Sequence, residues 1–177
     1  MTLLNNLSEN KKQTLKALAR LFLVFLAVLA IFLIAFNIEA VHLAVVVPFT
    51  KFVALTSRTL MNLFGANADV AGNKLFTRDF GVNIVDGCNG IYATAILIAG
   101  VIAFPSRLRD KGLGILLGVA AVFLLNQVRV ISLFYLGRFF PDIFYEAHVY
   151  VWQPIIIVWA IFVWDFWSRR IKEKETQ

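Results

Sequence analysis

Among its 177 residues the chain has a single cysteine, Cys88. One thiol allows no intrachain disulfide, no CxxC redox pair and no cysteine-rich zinc site. It can still serve as a nucleophile where its surroundings favour the thiolate. Cys88 lies in Val85-Asp86-Gly87-Cys88-Asn89-Gly90, between an alternating stretch and an apolar run. A cysteine at a helix amino terminus meets the positive end of the helix dipole, which is expected to lower its pKa. Gly87 and Gly90 permit close backbone approach and leave N–H groups able to hold an oxyanion. The competing reading of Cys88 is a small buried hydrophobe.

Two further residues stand out. Arg129 falls within an otherwise apolar run, about 25 Å from its start at 1.5 Å per residue. Charges at membrane depth are costly and face a bundle interior or a wet cavity. Asn126, Arg129 and Ser132 share a helical face at i, i+3, i+6. His148 stands at the start of the last apolar run, with Trp152 one turn later. A thiol, an imidazole to take its proton and a fixed cation form a recognisable nucleophilic set. Asn89, Gly90, Asn126 and Trp152 are the expected lining of such a site. Asp86 either orients His148 or caps a turn. His42 has no partner in sequence and reads as interfacial. Asp165 is expected to pair with Arg169 or Arg170. No P-loop, HExxH, GxSxG or dinucleotide fingerprint is present, and no metal or other cofactor is expected.

Elements that could bring these residues together follow from the composition. The chain is 60% hydrophobic and 16% charged, with 17 Phe and 4 Trp. Soluble domains are about 45–50% apolar and about 25% charged, so lipid is the expected solvent. A hydrocarbon core of about 30 Å needs roughly 20 apolar helical residues. Four runs read as spans: 21–36, 90–104, 112–137 and 149–167. The predicted fold class is an all-α polytopic membrane protein of about four transmembrane helices. The predicted organisation is a cytoplasmic segment 1–20, one integral domain 21–167 and a basic tail 168–177, the last few residues of which are expected to fray. Residues 41–64 read as an interfacial or partly embedded helix, too mixed with Lys51, Thr56, Ser57 and Arg58 for a clear span. Alternation at 74–77 and 81–85 suggests a short β-hairpin. The pair Gly114-xxx-Gly118 suggests helix packing, and the tryptophans read mainly as belt residues.

The net charge of +6 is distributed by topology. Lys11, Lys12, Lys16 and Arg20 precede the first span. Arg107, Arg109 and Lys111 lie between the second and third, and Arg169, Arg170, Lys172 and Lys174 follow the fourth. With both termini in the cytoplasm, eleven of the 17 Lys and Arg residues lie inside. Residues 37–87 and 138–148 then face outward, which puts Cys88, Arg129 and His148 at one depth. The basic balance therefore calls for a lipid bilayer rather than nucleic acid as partner. The first span reads as a retained anchor, since its 16-residue apolar core exceeds the usual signal-peptide run and no clean A-x-A site follows.

These residues resemble the exosortase/archaeosortase family. The resemblance rests on Cys88-Asn89-Gly90 at the outer start of one helix, Asn126-Gln127-Val128-Arg129 late in the next and His148 at the outer start of the last. It covers roughly residues 37–167, and the compact size is most similar to exosortase H, associated with IPTL-type sorting signals. Asn89 departs from the commoner Cys-Ser-Gly form of the family. The resemblance implies a cysteine transpeptidase of the bacterial inner membrane with a periplasmic site. Its substrates would be membrane-anchored proteins carrying a carboxy-terminal motif, a transmembrane helix and a basic tail, passed on to a surface acceptor. It also implies Cys88 as nucleophile, Arg129 as stabiliser of the thiolate or transition state, and His148 as acid/base.

A non-enzymatic assembly or scaffold protein would use Arg129 as a polar helix-packing residue and leave Cys88 inert. A channel or carrier would need polar residues on several spans, and the first two have almost none. A quinone-linked thiol oxidoreductase needs at least two cysteines and is excluded.

Overall fold

A computed structural model describes residues 2–175, with side chains described for 11–173. The first helix, α1 (Thr2–Asn37), is rich in Leu and Ala and ends where Asn37 Nδ2 donates to the Leu33 carbonyl, 2.7 Å away. Ile38 turns extended and breaks the helix. A helical run follows: α2 (Glu39–Val41), a π-helical turn at His42–Val46 and α3 (Val47–Leu63) with Pro48 in its first turn. Gly65, at φ +78°, ends α3 in the left-handed conformation that glycine adopts freely.

Helices α1, the run Glu39–Leu63, Leu108–Phe139 and Pro141–Glu173 are long and apolar enough to cross a membrane. The chain is thus a helical multi-pass membrane protein, as the sequence reading has it, and the run read as interfacial or partly embedded is itself long and apolar enough to cross. The run at 39–63 meets the requirement by length and mean hydropathy, and several of its polar groups find partners. Thr50, Thr56 and Thr59 each donate to a carbonyl one turn back. Ser57 Oγ donates to Gln127 Oε1 at 2.7 Å, and Arg58 pairs with Asp69 at 3.5 Å. Conversely, α4 (Ile91–Ala103), which the sequence marks as a span, has 13 residues. At about 20 Å it is short for the hydrocarbon thickness, yet it joins the Cys88 turn at one end to the basic residues 107–111 at the other, where Lys111 donates to the Ile102 carbonyl.

Between α3 and α4 lies an antiparallel sheet of three strands, β1 (Asp69–Ala71), β2 (Lys74–Phe76) and β3 (Gly81–Asn83), in that order. The register pairs Val70 with Leu75 and Leu75 with Val82. The hairpin read at 74–77 and 81–85 is therefore two of three strands. β1 escaped because Asp-Val-Ala is too short to show alternation. Leu75 is fully buried in a cluster with Val53, Met61, Ile84, Val130 and Phe134. This seats the sheet over the ends of α3 and α5 (Leu108–Phe139). Asn62 fixes the entry to the sheet by bonding both the N–H and the carbonyl of Ala68.

A second cluster joins the bundle. Ala93, Leu97 and Val101 of α4 pack on Val122 of α5 and on Ile156 and Ala160 of α7 (Gln153–Glu175). Gly114 and Gly118 do serve packing: a Cβ at Gly114 would fall 2.5 Å from the Trp167 ring, and one at Gly118 2.6 Å from Leu97. Three of the tryptophans are packing residues as well. Trp159 and Trp167 donate across to the Ala121 and Asp110 carbonyls of α5, and Trp164 lies edge-on to Phe104. Asp165 pairs with Arg169 at 2.8 Å, as the spacing predicts. The expected frayed tail is helical through Glu175, and residues 176–177 lie outside the described part. Between α5 and α7 the chain turns through a 3-10 turn (Pro141–Ile143), α6 (Phe144–Glu146) and a second π-helical turn (Ala147–Trp152).

Candidate active site

Cys88 is placed by what precedes and follows it. Ile84 is tied to Asn73 twice: its N–H donates to the Asn73 carbonyl, and its carbonyl accepts from Asn73 Nδ2. The Val85 carbonyl then accepts the N–H groups of both Cys88 (2.7 Å) and Asn89 (3.1 Å), folding 85–89 into a tight turn. Asn89 is fully buried and anchors this turn to α3 and α4. Its Nδ2 donates to Thr50 Oγ1 at 2.9 Å, and its Oδ1 accepts the Ile91 N–H at 3.0 Å. Gly90 has φ +82° and lies directly on Asn126, where a Cβ would stand 2.9 Å from the amide carbon. Asn126 is thus a buried support beneath the turn, and its amide has no hydrogen-bond partner among the described residues.

Arg129, one turn further along α5, is 1% exposed. Its Nη2 donates to the Gly87 carbonyl at 3.1 Å and to Gln153 Oε1 at 2.9 Å, and stands 3.9 Å from Cys88 Sγ. Ser132, on the same face, donates only to Arg129's own carbonyl. Cys88 Sγ is 3.2 Å from His148 Nδ1 and 3.7 Å from Nε2. The His148 ring is stacked against Phe144 at 6.2 Å. Thiol, imidazole and guanidinium, separated by up to 60 positions in the chain, therefore form one cluster.

The π-helical turn at 147–152 explains a residue that the sequence reading missed. In an α-helix, residues five apart face about 140° away from each other. The i→i+5 pattern of a π-helix brings them onto one face. His148 and Gln153 are five apart, and both reach the cluster: His148 meets the sulfur and Gln153 clamps Arg129. Trp152, the lining residue expected from α-helical spacing, is half-buried and lines neither recess at the cysteine. Asp86 neither orients His148 nor merely caps a turn. Its Oδ2 lies 2.8 Å from His42 Nε2, at the first π-helical turn, so His42 has a partner after all.

The electrostatics also depart from expectation. Burial pushes the Cys88 thiol above its ordinary pKa, and the Arg129 charge offsets this only in part. The helix-dipole reading fails because α4 begins at Ile91, three residues beyond Cys88, while the sulfur itself is packed among protein atoms. The backbone oxyanion donors are reduced too. The N–H groups of Cys88, Asn89 and Ile91 all have acceptors, which leaves the guanidinium as the strongest donor beside the sulfur. Two small recesses flank the turn. One, of about 30 Å³, is walled by Gly87, Gly90, Arg129 and Gln153. The other, of about 20 Å³, is walled by Val82, Asn83, Ile84, Cys88, Val130, Leu133 and Phe144.

A thiol beside a histidine and a fixed cation, at the end of a membrane helix bundle, suits acyl transfer through sulfur. The family profile described as transmembrane exosortase (Exosortase_EpsH) matches residues 14–153. The chain belongs to the transmembrane exosortase family. Its family carries a membrane transpeptidase-type protein-sorting function, so protein substrates are implied for this exosortase as well. The matched region holds Cys88, Arg129 and His148 and reaches Gln153. No curated protein and no solved structure matches the chain.

Proposed function

We propose that this exosortase is a cysteine transpeptidase that cuts the carboxy-terminal sorting signal of exported, membrane-anchored proteins and passes the new carboxyl end to an acceptor. The observation that carries this reading is the 3.2 Å approach of Cys88 Sγ to His148 Nδ1 beside the Arg129 guanidinium. The enzyme works at the outer face of the bacterial inner membrane with both termini cytoplasmic, the orientation favoured by the distribution of Lys and Arg. The resemblance to exosortase H favours an IPTL-type motif.

The chemistry follows from the cluster. The thiol is predominantly protonated, so His148 takes its proton through Nδ1 as Sγ attacks the scissile carbonyl. The carbonyl π-electrons move to oxygen, and Arg129 faces the resulting oxyanion. On collapse the C–N bond breaks and His148 returns the proton to the leaving amine. The product is a thioester on Cys88 and a freed membrane helix with its basic tail. An acceptor amine, or water, then attacks the thioester and restores the thiol. Gln153 and the Gly87 carbonyl hold the guanidinium in place throughout.

The test is an exported reporter ending in Ile-Pro-Thr-Leu, an apolar helix and a basic tail, co-expressed with the enzyme. The wild type is expected to shorten the reporter. Cys88→Ala at equal membrane abundance is expected to leave it intact. Processing by Cys88→Ala would overturn the cysteine mechanism.

A further inference from the structure

The strand that leads to Cys88 is paired on one side only. β3 is the edge of the sheet, with β2 as its single neighbour. Hydrogen-bonded and non-bonded pairs alternate along an antiparallel ladder. Thr77 N–H donates to the Phe80 carbonyl and Ile84 N–H to the Asn73 carbonyl, so 77/80 and 73/84 are bonded pairs. With the register Leu75 to Val82, residues 80, 82 and 84 use their backbone groups toward β2. Gly81 and Asn83 therefore turn their N–H and carbonyl groups to the open edge. Asn83 is exposed, as are Val85 and Gly87 in the turn that follows it and holds the cysteine.

Beside this edge lies the mostly apolar recess of about 20 Å³ walled by Val82, Asn83, Ile84, Val130, Leu133 and Phe144, with Cys88 as a wall residue. An unpaired strand edge offers a peptide its backbone hydrogen bonds, and pockets beside it select alternate side chains. A helix or a lipid has no free row of backbone groups to match. We propose that the open edge of β3 docks the extended segment of the substrate that holds the scissile bond, and that the recess takes a small apolar side chain next to that bond. This inference rests on the sorting reading above and adds the manner of recognition to it. The recess holds only the tip of a side chain, so Ala or Val fits and Phe does not.

The reporter above supplies the probe. In a Cys88→Ala background the enzyme has no cysteine, so Asn83→Cys and Val85→Cys each introduce a unique thiol. Disulfide cross-linking to a reporter with one cysteine beside its cleavage site is expected at 83 and 85, and not at Asp69→Cys on the far edge of the sheet. In the Cys88 enzyme, reporters with Ala, Val, Leu or Phe next to the bond are compared as well. Small residues are expected to be favoured over Phe by roughly tenfold or more. Phe144→Ala, which opens the recess, is expected to narrow that ratio even if it slows every reporter. Processing that depends on Cys88 while cross-links are absent at 83 and 85, or equal at 69, would overturn the docking strand and leave the sorting reading intact. Cross-linking of 83 to a second copy, unaffected by reporter, would mark the edge as a self-association surface and also overturn it. A reporter that the wild type does not cut would remove the sorting reading and the strand together.

Discussion

Cys88 is held as a thiol by burial, and Arg129 works against that burial without overcoming it. The sign has a direct consequence. Thiolate grows as pH rises, so alkylation of Cys88 by a membrane-impermeant haloacetamide is expected to be half-maximal above the ordinary thiol range of about 8.5. Arg129→Gln removes the offsetting charge and is expected to shift that midpoint further up. A midpoint near neutrality would contradict the arrangement. The same substitution is expected to cost processing about 10²–10³-fold if the guanidinium stabilises the oxyanion. Gln153→Ala is expected to lower kcat with KM little changed, since it frees Arg129 without touching substrate. Cys88, Arg129 and His148 were legible because a unique thiol and a charge within apolar runs are conspicuous. Gln153 was not: a glutamine at the edge of a span looks interfacial, and its direction depends on a backbone irregularity with no hydrophobic signature.

At the scale of elements, the site depends on two local departures from regular structure. One is the tight turn after β3, with Gly90 in the left-handed region against Asn126. Gly90→Ala adds both strain and a clash, and is expected to destabilise the protein by about 2 kcal/mol, read as a lower Tm in detergent. The other is the π-helical turn at 147–152. Deleting Val151 removes the extra residue and leaves His148 and Gln153 four apart, about 40° apart on one face of an ordinary α-helix. Folded protein that still processes the reporter is the expected result, checked by circular dichroism alongside reporter processing. Folded but inactive protein would show that bringing these two residues onto one face is not what the π turn supplies. The sheet and α3 were only partly legible. Asp69–Ala71 is too short for a period, and the polar residues of α3 concealed a helix that pairs them with its own carbonyls, Gln127 and Asp69.

Across the whole molecule, the site lies where the two packed clusters meet. The α4, α5 and α7 cluster carries the helix ends, and the α3, sheet and α5 cluster carries the cysteine turn. Hydropathy made the all-helical membrane class plain, because long uncharged runs have few other solvents. It left the run at 39–63 undecided, because that helix carries polar groups among its apolar ones, and it marked α4 from its apolar run although α4 has only 13 residues. A bundle of this form suits a substrate that arrives by its own helix, since lateral diffusion presents the scissile bond at fixed depth. The central claim is that this bond is broken through sulfur at Cys88. Its most direct measurement is mass spectrometry of enzyme quenched in acid during reporter processing. The reporter's upstream fragment is expected on Cys88, released by hydroxylamine and missing from Cys88→Ala. Reporter cleavage by the wild type with no adduct on Cys88, together with undiminished cleavage by Cys88→Ala, would contradict it.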